Sequence, residues 1–303
     1  MSESAPTPDR PLVGVLWMLM TGVLFVAVTG IVRHLGSDLP AVEAAFLRYA
    51  IGLFMILPAF RPLLHKMPPW RDWKLYILRG VVHGIGVMLW FYAMARIPIA
   101  EVTAIGYTAP IFVTIGAAIF LGERLQARRI GAVLVAFLGA MIILRPGLVE
   151  ISSGALAQLC AAPLFACSFL LAKSFTRGAD TGLIVAMLSV FCTLTLLPGA
   201  LLQWRDPTWE EVGWLTLTAA CATAGHYTLT QAFRAAPITV TQPVQFLQLV
   251  WAALLGVIVF GEALDPYVLL GGAIIVGSAT YISHREVLVA RKSRTPPAPA
   301  TKL

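Results

Sequence analysis

The sequence predicts an all-α polytopic membrane protein of ten transmembrane helices, arranged as two inverted five-helix repeats with both termini in the cytoplasm. Three observations predict this fold class: an apolar composition, ten separate apolar segments and an internal repeat. The chain has 303 residues, of which 58% are hydrophobic and only 12% are charged. A soluble domain contains about 25% charged residues. The composition therefore excludes the soluble globular and the disordered classes.

Ten apolar segments follow one another along the chain, separated by short connectors. A transmembrane helix requires about 20 mainly apolar residues. The predicted spans are 11–32, 40–60, 74–95, 98–121, 127–145, 151–173, 180–203, 212–234, 238–260 and 265–284. We expect residues 1–10 to form a cytoplasmic segment and residues 285–303 to form a disordered basic cytoplasmic tail.

The distribution of Lys and Arg predicts the orientation of these spans. With both termini in the cytoplasm, 16 Lys and Arg residues lie on the cytoplasmic side. Four lie on the opposite side: Arg33, Arg96, Arg145 and Arg205. This bias follows the positive-inside rule. The net charge of +7 therefore indicates membrane topology and does not indicate a nucleic-acid partner.

The chain contains an internal repeat. Residues 98–125 align without gaps on residues 237–264, and the longer alignment of 91–125 with 230–264 has seven identities in 35 positions. We place the first repeat at 11–145 and the second at 151–284. Each repeat holds five spans, an odd number, so the two repeats insert with opposite orientation. Inverted repeats are typical of carriers whose halves rock around a site near the membrane midplane.

Short motifs recur in order within the two repeats. They are Phe46-Leu47-Arg48-Tyr49, Gly122-Glu123, the stretch from Ala232 to Pro237, and Gly261-Glu262. In this order and duplication, over about residues 11–284, the chain resembles the EamA-type carriers of the drug/metabolite transporter superfamily. The resemblance implies a multi-pass carrier of small metabolites in the bacterial cell inner membrane, without ATPase chemistry. The chain also lacks the Gly-x-x-x-x-Gly-Lys-Ser/Thr phosphate loop.

Ionisable residues inside predicted spans are candidate functional groups because burying them in lipid is costly. Arg48 is either a gate or anion-recognising group, or a structural residue bonded to backbone carbonyls. Glu101 is either a proton or cation site, or an interfacial carboxylate paired with Arg96. His83 and His226 either relay protons or act as hydrogen-bonded packing residues. We take Arg48, Glu101 and His83 as candidate gating or coupling residues.

The ninth span carries a polar stripe, since Gln242, Gln245 and Gln248 recur every three residues along a helix. These amides either line a polar cavity or connect helices by hydrogen bonds, and we interpret them as a cavity wall. Aromatic residues in other spans add candidate walls. The predicted substrate-binding set is Gln242, Gln245, Gln248, His226, Tyr227, Trp17, Trp90 and Tyr107.

Together these features predict a secondary active transporter that works by alternating access. Among the carriers that the chain resembles, riboflavin importers fit the amide stripe and aromatic residues first, and exporters of amino acids or related metabolites second. An intramembrane enzyme would require a dense catalytic constellation that the spans lack, and a channel would favour a symmetric filter. We expect no metal and no cofactor. The expected partners are a small-molecule substrate and the lipid bilayer; a proton or ion gradient and a homodimer stay open.

Overall fold

The regular structure of the described residues consists of ten α-helices. The computed structural model describes residues 10–57, 70–109, 112, 127–145, 150–176, 178–236, 241, 244–245 and 247–294. The helices are α1 Pro11–Leu35, α2 Ala41–Met55, α3 Trp70–Met94, α4 Ile99–Gly106, α5 Ala127–Leu144, α6 Ser153–Phe175, α7 Thr181–Leu202, α8 Trp209–Ala235, α9 Leu247–Phe260 and α10 Pro266–Arg294. Each helix lies within or overlaps one predicted apolar segment, in the same order.

Four of these helices are long and apolar enough to cross a membrane within the residues that the structure describes. They are Pro11–Leu35, Asp72–Met94, Ser153–Phe175 and Thr181–Leu202. The all-helical fold class is therefore confirmed for the described part of the chain. The number of ten spans and the cytoplasmic placement of both termini stay predictions.

Polar side chains start several helices at the predicted connectors. Ser152 precedes α6 and its Oγ accepts a backbone N–H of the first turn, and Asp180 does the same for α7. Thr208 and Glu211 form a reciprocal capping box at the start of α8. Such caps satisfy N–H groups that have no partner inside the helix.

The last helix corrects the predicted tail. α10 continues to Arg294, whereas the sequence predicts a disordered segment from residue 285 onward. The stretch from Glu286 to Arg294 contains no Gly or Pro, and the next proline is Pro296. Because residues of this kind favour a helix and proline disfavours it, the helix extends beyond the apolar span.

Helix packing follows the internal repeat. α1 of the first repeat packs chiefly on α8, and its counterpart α6 packs chiefly on α3. α2 packs on α7, α4 on α9 and α5 on α10, so each of these helices contacts its own counterpart. The two repeats are therefore interleaved around a pseudo-twofold arrangement, and helices of both repeats meet along its centre.

Close helix approach depends on small residues at the contact between α5 and α10. A Cβ added at Gly139 would lie 2.8 Å from the carbonyl oxygen of Gly271, and a Cβ at Gly271 would lie 2.5 Å from that of Gly139. Glycine at both positions lets the two backbones touch, as is common between helices in membranes.

Candidate functional site

A pair of histidines marks the place where the two repeats meet. His83 lies near the middle of α3 in the first repeat, and His226 lies in α8 of the second. Their ring centroids are 5.0 Å apart with an interplanar angle of 71°. Both rings are almost fully buried. His83 Nδ1 is 2.9 Å from the hydroxyl of Ser168 on α6, so three helices supply polar groups at one point.

Two buried arginines lie beside this histidine pair. Arg79 precedes His83 by one helical turn on α3 and is 1% exposed, and Arg48 on α2 is 6% exposed. The ring of Tyr49, the neighbour of Arg48, lies with its centroid 6.3 Å from that of His83, so both arginines belong to the surroundings of the histidine pair. The Arg48 guanidinium lies 4.0 Å above the ring centroid of Tyr49. We call Arg48, Tyr49, Arg79, His83, Ser168 and His226 the central cluster.

Several polar atoms of the central cluster have no hydrogen-bond partner among the described residues. They are Nη1 of Arg48, the hydroxyl of Tyr49, Nε of Arg79 and Nδ1 of His226. Arg79 Nη1 does donate to the carbonyl oxygen of Ile184, 3.0 Å away. Because buried polar groups are normally paired, these atoms call for an explanation.

Aromatic rings surround the histidines. Phe165 and Phe169 of α6 lie with their centroids 5.1 Å and 6.4 Å from that of His83, and their own rings are nearly parallel. Phe25 of α1 contacts His226 edge-on at 5.4 Å. The centre of the molecule therefore combines basic side chains with flat apolar surfaces.

The glutamine stripe is only partly described. Gln242 lies outside the described residues, while Gln245 and Gln248 are half-buried. The backbone carbonyl of Gln245 accepts a hydrogen bond of 2.9 Å from the hydroxyl of Tyr107, which is 7% exposed. This bond joins the region after α4 to its counterpart before α9, and it leaves the Gln245 amide out of that contact.

For three other predicted substrate-binding residues, the described contacts are with groups other than the histidine pair. The side chain of Tyr227 is 39% exposed and its hydroxyl accepts a hydrogen bond from Gln231. Trp17 packs with the buried cluster around Met18 and Phe233. Trp90 contacts the ring of its neighbour Phe91. Of the predicted substrate-binding residues that the structure describes, His226 belongs to the central cluster.

The candidate coupling residues also separate. Arg48 and His83 both lie in the central cluster, but Glu101 does not. Glu101 is half-buried in the first turn of α4, near the ion pair of Arg145 and Asp265, whose atoms are 2.5 Å apart. Arg96, the partner weighed for Glu101, instead lies over the ring of Tyr92.

The described residues line a cavity of about 320 Å³ between the end of α1, the start of α2 and the end of α3. Its polar lining includes Ser37, Tyr92, Arg96 and Gln203. None of the residues predicted to bind substrate lines it. The cavity lies at the end of the molecule that the charge bias predicts to be periplasmic.

A salt bridge connects four helices at that same end. Arg33 of α1 pairs with Glu262 at 2.9 Å. It also donates to the carbonyl oxygen of Met94, the last residue of α3, and to that of Ile97 in the following connector. Oε2 of Glu262 accepts the N–H of Ile99, the first residue of α4, at 2.9 Å. We call this arrangement the outer latch.

The Gly-Glu motif is what positions the carboxylate. Gly261 has a φ of +63°, a conformation that glycine adopts without strain. Glu262 has no Lys or Arg near it in the sequence, and the structure supplies a cation, Arg33, from α1. The carboxylate also caps α4, whose free N–H groups favour a negative charge.

The opposite end holds a counterpart of the outer latch. Lys173 ends α6 as Arg33 ends α1, and the two are 140 residues apart. Its Nζ donates to the carbonyl oxygens of Phe233 and Ala236, which correspond to Met94 and Ile97 with an offset of 139. We call this the inner latch. Cations at helix C-termini stabilise the unpaired carbonyls there.

Sequence reasoning missed part of the central cluster. Arg79 carried a signal, since an arginine inside a span one turn before a histidine shares its helix face, but it received no role. Ser168 carried no signal that separates it from other serines in apolar helices. Within the described residues, no group of three or more His, Cys, Asp and Glu forms a metal-ligand set.

The sequence matches a family model twice. The EamA-like transporter family model covers residues 12–145 and again residues 152–284. The chain belongs to the EamA-like transporter family. Family membership confirms the resemblance drawn from the motifs, and it makes the chain a member of a family of transporters.

Relatives of this EamA-like chain are transporters of several small molecules. It is 32% identical to a riboflavin transporter of Rhizobium johnstonii, over 95% of this chain and 96% of that one. It is 31% identical to a riboflavin transporter of Vibrio cholerae, over 94% and 97% of the two chains. It is 28% identical to the pseudopaline exporter CntI of Pseudomonas aeruginosa, over 89% and 96%.

Proposed function

We propose that this EamA-like chain is a secondary active transporter that takes up riboflavin across the bacterial inner membrane by alternating access. The observation that carries the proposal is the central cluster, where buried basic and aromatic side chains of both repeats meet between apolar helices. Polar groups are retained at such positions when they serve a substrate or ion pathway. The similarity to two riboflavin transporters supports the choice of substrate.

In the proposed mechanism the centre of the molecule binds the substrate, and the two ends open and close. The flat rings of Phe165, Phe169 and Phe25 provide stacking surfaces for a planar ring system. The amides of Gln245 and Gln248, with Tyr107 and Trp17, form a second candidate wall of the binding site; the predicted role of Gln242, which lies outside the described residues, is the same. Alternating access then requires that contacts at one end break while contacts at the other end form.

The candidate coupling groups retain their proposed roles. Arg48 and His83 act in gating or coupling at the centre, and Glu101 acts near the outer end. A histidine is suited to proton coupling because it titrates near neutral pH. We propose that an ion or proton gradient drives the cycle, with no cofactor. A homodimer stays an expectation of the same proposal.

Growth of a riboflavin-auxotrophic bacterium that lacks its own importer tests this function. Expression of the chain should restore growth at low external riboflavin, and Arg48→Ala should not. Arg96→Ala is the matched control, since Arg96 also lies over a tyrosine ring but is exposed. Absence of growth, with the wild-type protein present in the membrane, would show that riboflavin uptake is the wrong assignment.

Export of amino acids or related metabolites is the second candidate. The similarity to a pseudopaline exporter favours it. In that case expression should raise resistance to toxic amino-acid analogues and should leave riboflavin-dependent growth unchanged. The two assays in one strain distinguish the directions of transport.

A further inference from the structure

The central cluster concentrates positive charge in a buried place. Arg48 and Arg79 are 6% and 1% exposed, and both stay protonated in proteins. Among the described residues, no carboxylate forms an ion pair with either one; the ion pairs there involve Arg33, Arg145 and Arg205. Two positively charged guanidinium groups thus share a buried region, and no carboxylate among the described residues pairs with them.

The surrounding side chains partly solvate these cations but do not neutralise them. Arg48 lies over the Tyr49 ring and Arg79 donates to the carbonyl oxygen of Ile184. Nη1 of Arg48 and Nε of Arg79 stay without acceptors among the described residues. Burial of an unpaired charge is strongly unfavourable, so a group that supplies the missing negative charge would bind favourably here.

We propose that Arg48 and Arg79 bind an anionic group, a carboxylate or a phosphate, of a transported molecule. The inference rests on the proposed carrier function and adds small acids with a flat ring to its substrate class, beside riboflavin. Guanidinium groups match carboxylate and phosphate oxygens through paired N–H donors. His226 Nδ1 and the Tyr49 hydroxyl, which also lack partners among the described residues, are further polar groups at the same site.

The aromatic side chains indicate the shape of the rest of the bound substrate. Phe165 and Phe169 lie next to His83, and Phe25 lies next to His226. A planar ring stacks on such surfaces while its acidic group reaches the arginines. Riboflavin carries the ring but no acidic group, whereas its 5′-phosphate carries both. This pair of molecules therefore separates ring recognition from anion recognition.

The test measures thermal stabilisation of the purified full-length protein by matched pairs of probes. The pairs are riboflavin 5′-phosphate with riboflavin, nicotinate with nicotinamide, and N-acetyltryptophan with N-acetyltryptophanamide. In at least one pair the acid should raise the melting temperature by about 5 °C more than its partner when it is in large excess over its Kd. Sodium phosphate at the same concentration should not produce this gain.

Variants then assign the effect to the two arginines. Arg48→Gln and Arg79→Gln should each abolish the extra stabilisation by the acid, while Arg96→Gln at the exposed tyrosine contact should retain it. Equal stabilisation by acid and neutral members in all three pairs would overturn the inference, and that comparison requires only the wild-type protein. An effect that survives both substitutions, or that phosphate alone reproduces, would overturn it as well.

The outcome is independent of the riboflavin assignment. If the protein restores riboflavin-dependent growth but shows no preference for acids, the proposed function stands and the proposed anion site is wrong. If the protein prefers acids through Arg48 and Arg79 but does not restore growth, the anion site stands and riboflavin is the wrong substrate.

Discussion

At the scale of single residues, the position of Arg48 connects sequence and function most directly. It lies at mid-length in α2, buried against Tyr49 and near both histidines. Lysine retains the charge at this position but has neither the planar shape that stacks on a ring nor the fixed fork of N–H donors. The guanidinium shape, and not charge alone, is therefore expected to matter.

Arg48→Lys and Arg48→Ala should both lower the rate of uptake by about tenfold or more, because both remove the planar group with its fixed pair of N–H donors from a dry site. The protein should still reach the membrane in normal amounts, which immunoblotting of membrane fractions checks. Arg96→Lys serves as control. Normal uptake by Arg48→Lys would mean that charge alone is sufficient.

Gln245 tests whether the glutamine stripe contacts the transported molecule. Gln245→Leu should raise the KM of uptake or abolish it, because a polar group of the substrate is left unpaired. Thermal stability should stay close to wild type, since the bond from Tyr107 uses the backbone of Gln245. Val257→Ala, at an exposed position on α9, should have little effect on either quantity.

If Gln245→Leu instead lowers the melting temperature and leaves KM unchanged, the amides connect helices. Measuring both quantities on the same purified preparation keeps these results apart. The binding surface would then be confined to the central cluster.

At the scale of helices, the two latches relate the internal repeat to a mechanism. The outer latch joins α1, α3, α4 and α9 through Arg33 and Glu262. The inner latch joins α6 and α8 through Lys173. Since the latches lie at opposite ends and involve equivalent helices, we expect each to stabilise closure of its own end.

Substitutions in the latches should shift the access equilibrium in opposite directions. Glu262→Gln removes an ion pair worth about 1 kcal/mol, which changes the ratio of open to closed outer end about fivefold. A cysteine at Ser37, in the outer cavity, should then react faster with a membrane-impermeant thiol reagent. Lys173→Met should make the same cysteine react more slowly.

Two controls accompany this experiment. The four native cysteines are first replaced, because Cys160 is exposed. Glu211→Gln removes a different ion pair, with Arg205, which joins a connector to the start of α8 and involves none of the outer-latch helices. Equal labelling rates for Glu262→Gln and wild type would contradict the proposed role of the outer latch.

The helices were more predictable from sequence than their contacts. Ten apolar segments locate ten helices, because hydrophobic length is a local property. The outer latch was not predictable, since Arg33 and Glu262 lie in different repeats and approach each other only through packing of α1 and α9. Among the predicted site residues, Arg48, His83 and His226 meet, whereas Tyr227 does not, because adjacent residues of a helix point in different directions.

At the scale of the whole molecule, the interleaving of the repeats supports a carrier. Helices α2, α4 and α5 each contact their own counterparts, and α1 and α6 cross over to the other repeat. Neither repeat therefore encloses the central cluster alone. Rocking of one set of helices against the other would expose that cluster to opposite sides in turn.

The predicted topology gives a test at this scale. Reporter fusions at Arg10, Lys66, Arg128 and Arg177 should report the cytoplasm, because the positive charges are retained on that side. Fusions near Ser37, Gly147 and Asp206 should report the periplasm. A fusion at Arg291 fixes the end of α10, and a periplasmic signal there would refute the arrangement of ten spans.

The most direct test of transport between the two repeats is counterflow in proteoliposomes that contain the purified protein. Vesicles preloaded with unlabelled riboflavin should accumulate external labelled riboflavin transiently, with a rate that saturates, because a carrier exchanges solute through one alternating site. Arg48→Lys vesicles should show about a tenfold slower exchange or none. Uptake of riboflavin that rises linearly with concentration and is not stimulated by preloading would contradict a carrier. The same result with riboflavin 5′-phosphate as the solute would contradict carrier transport of that molecule as well.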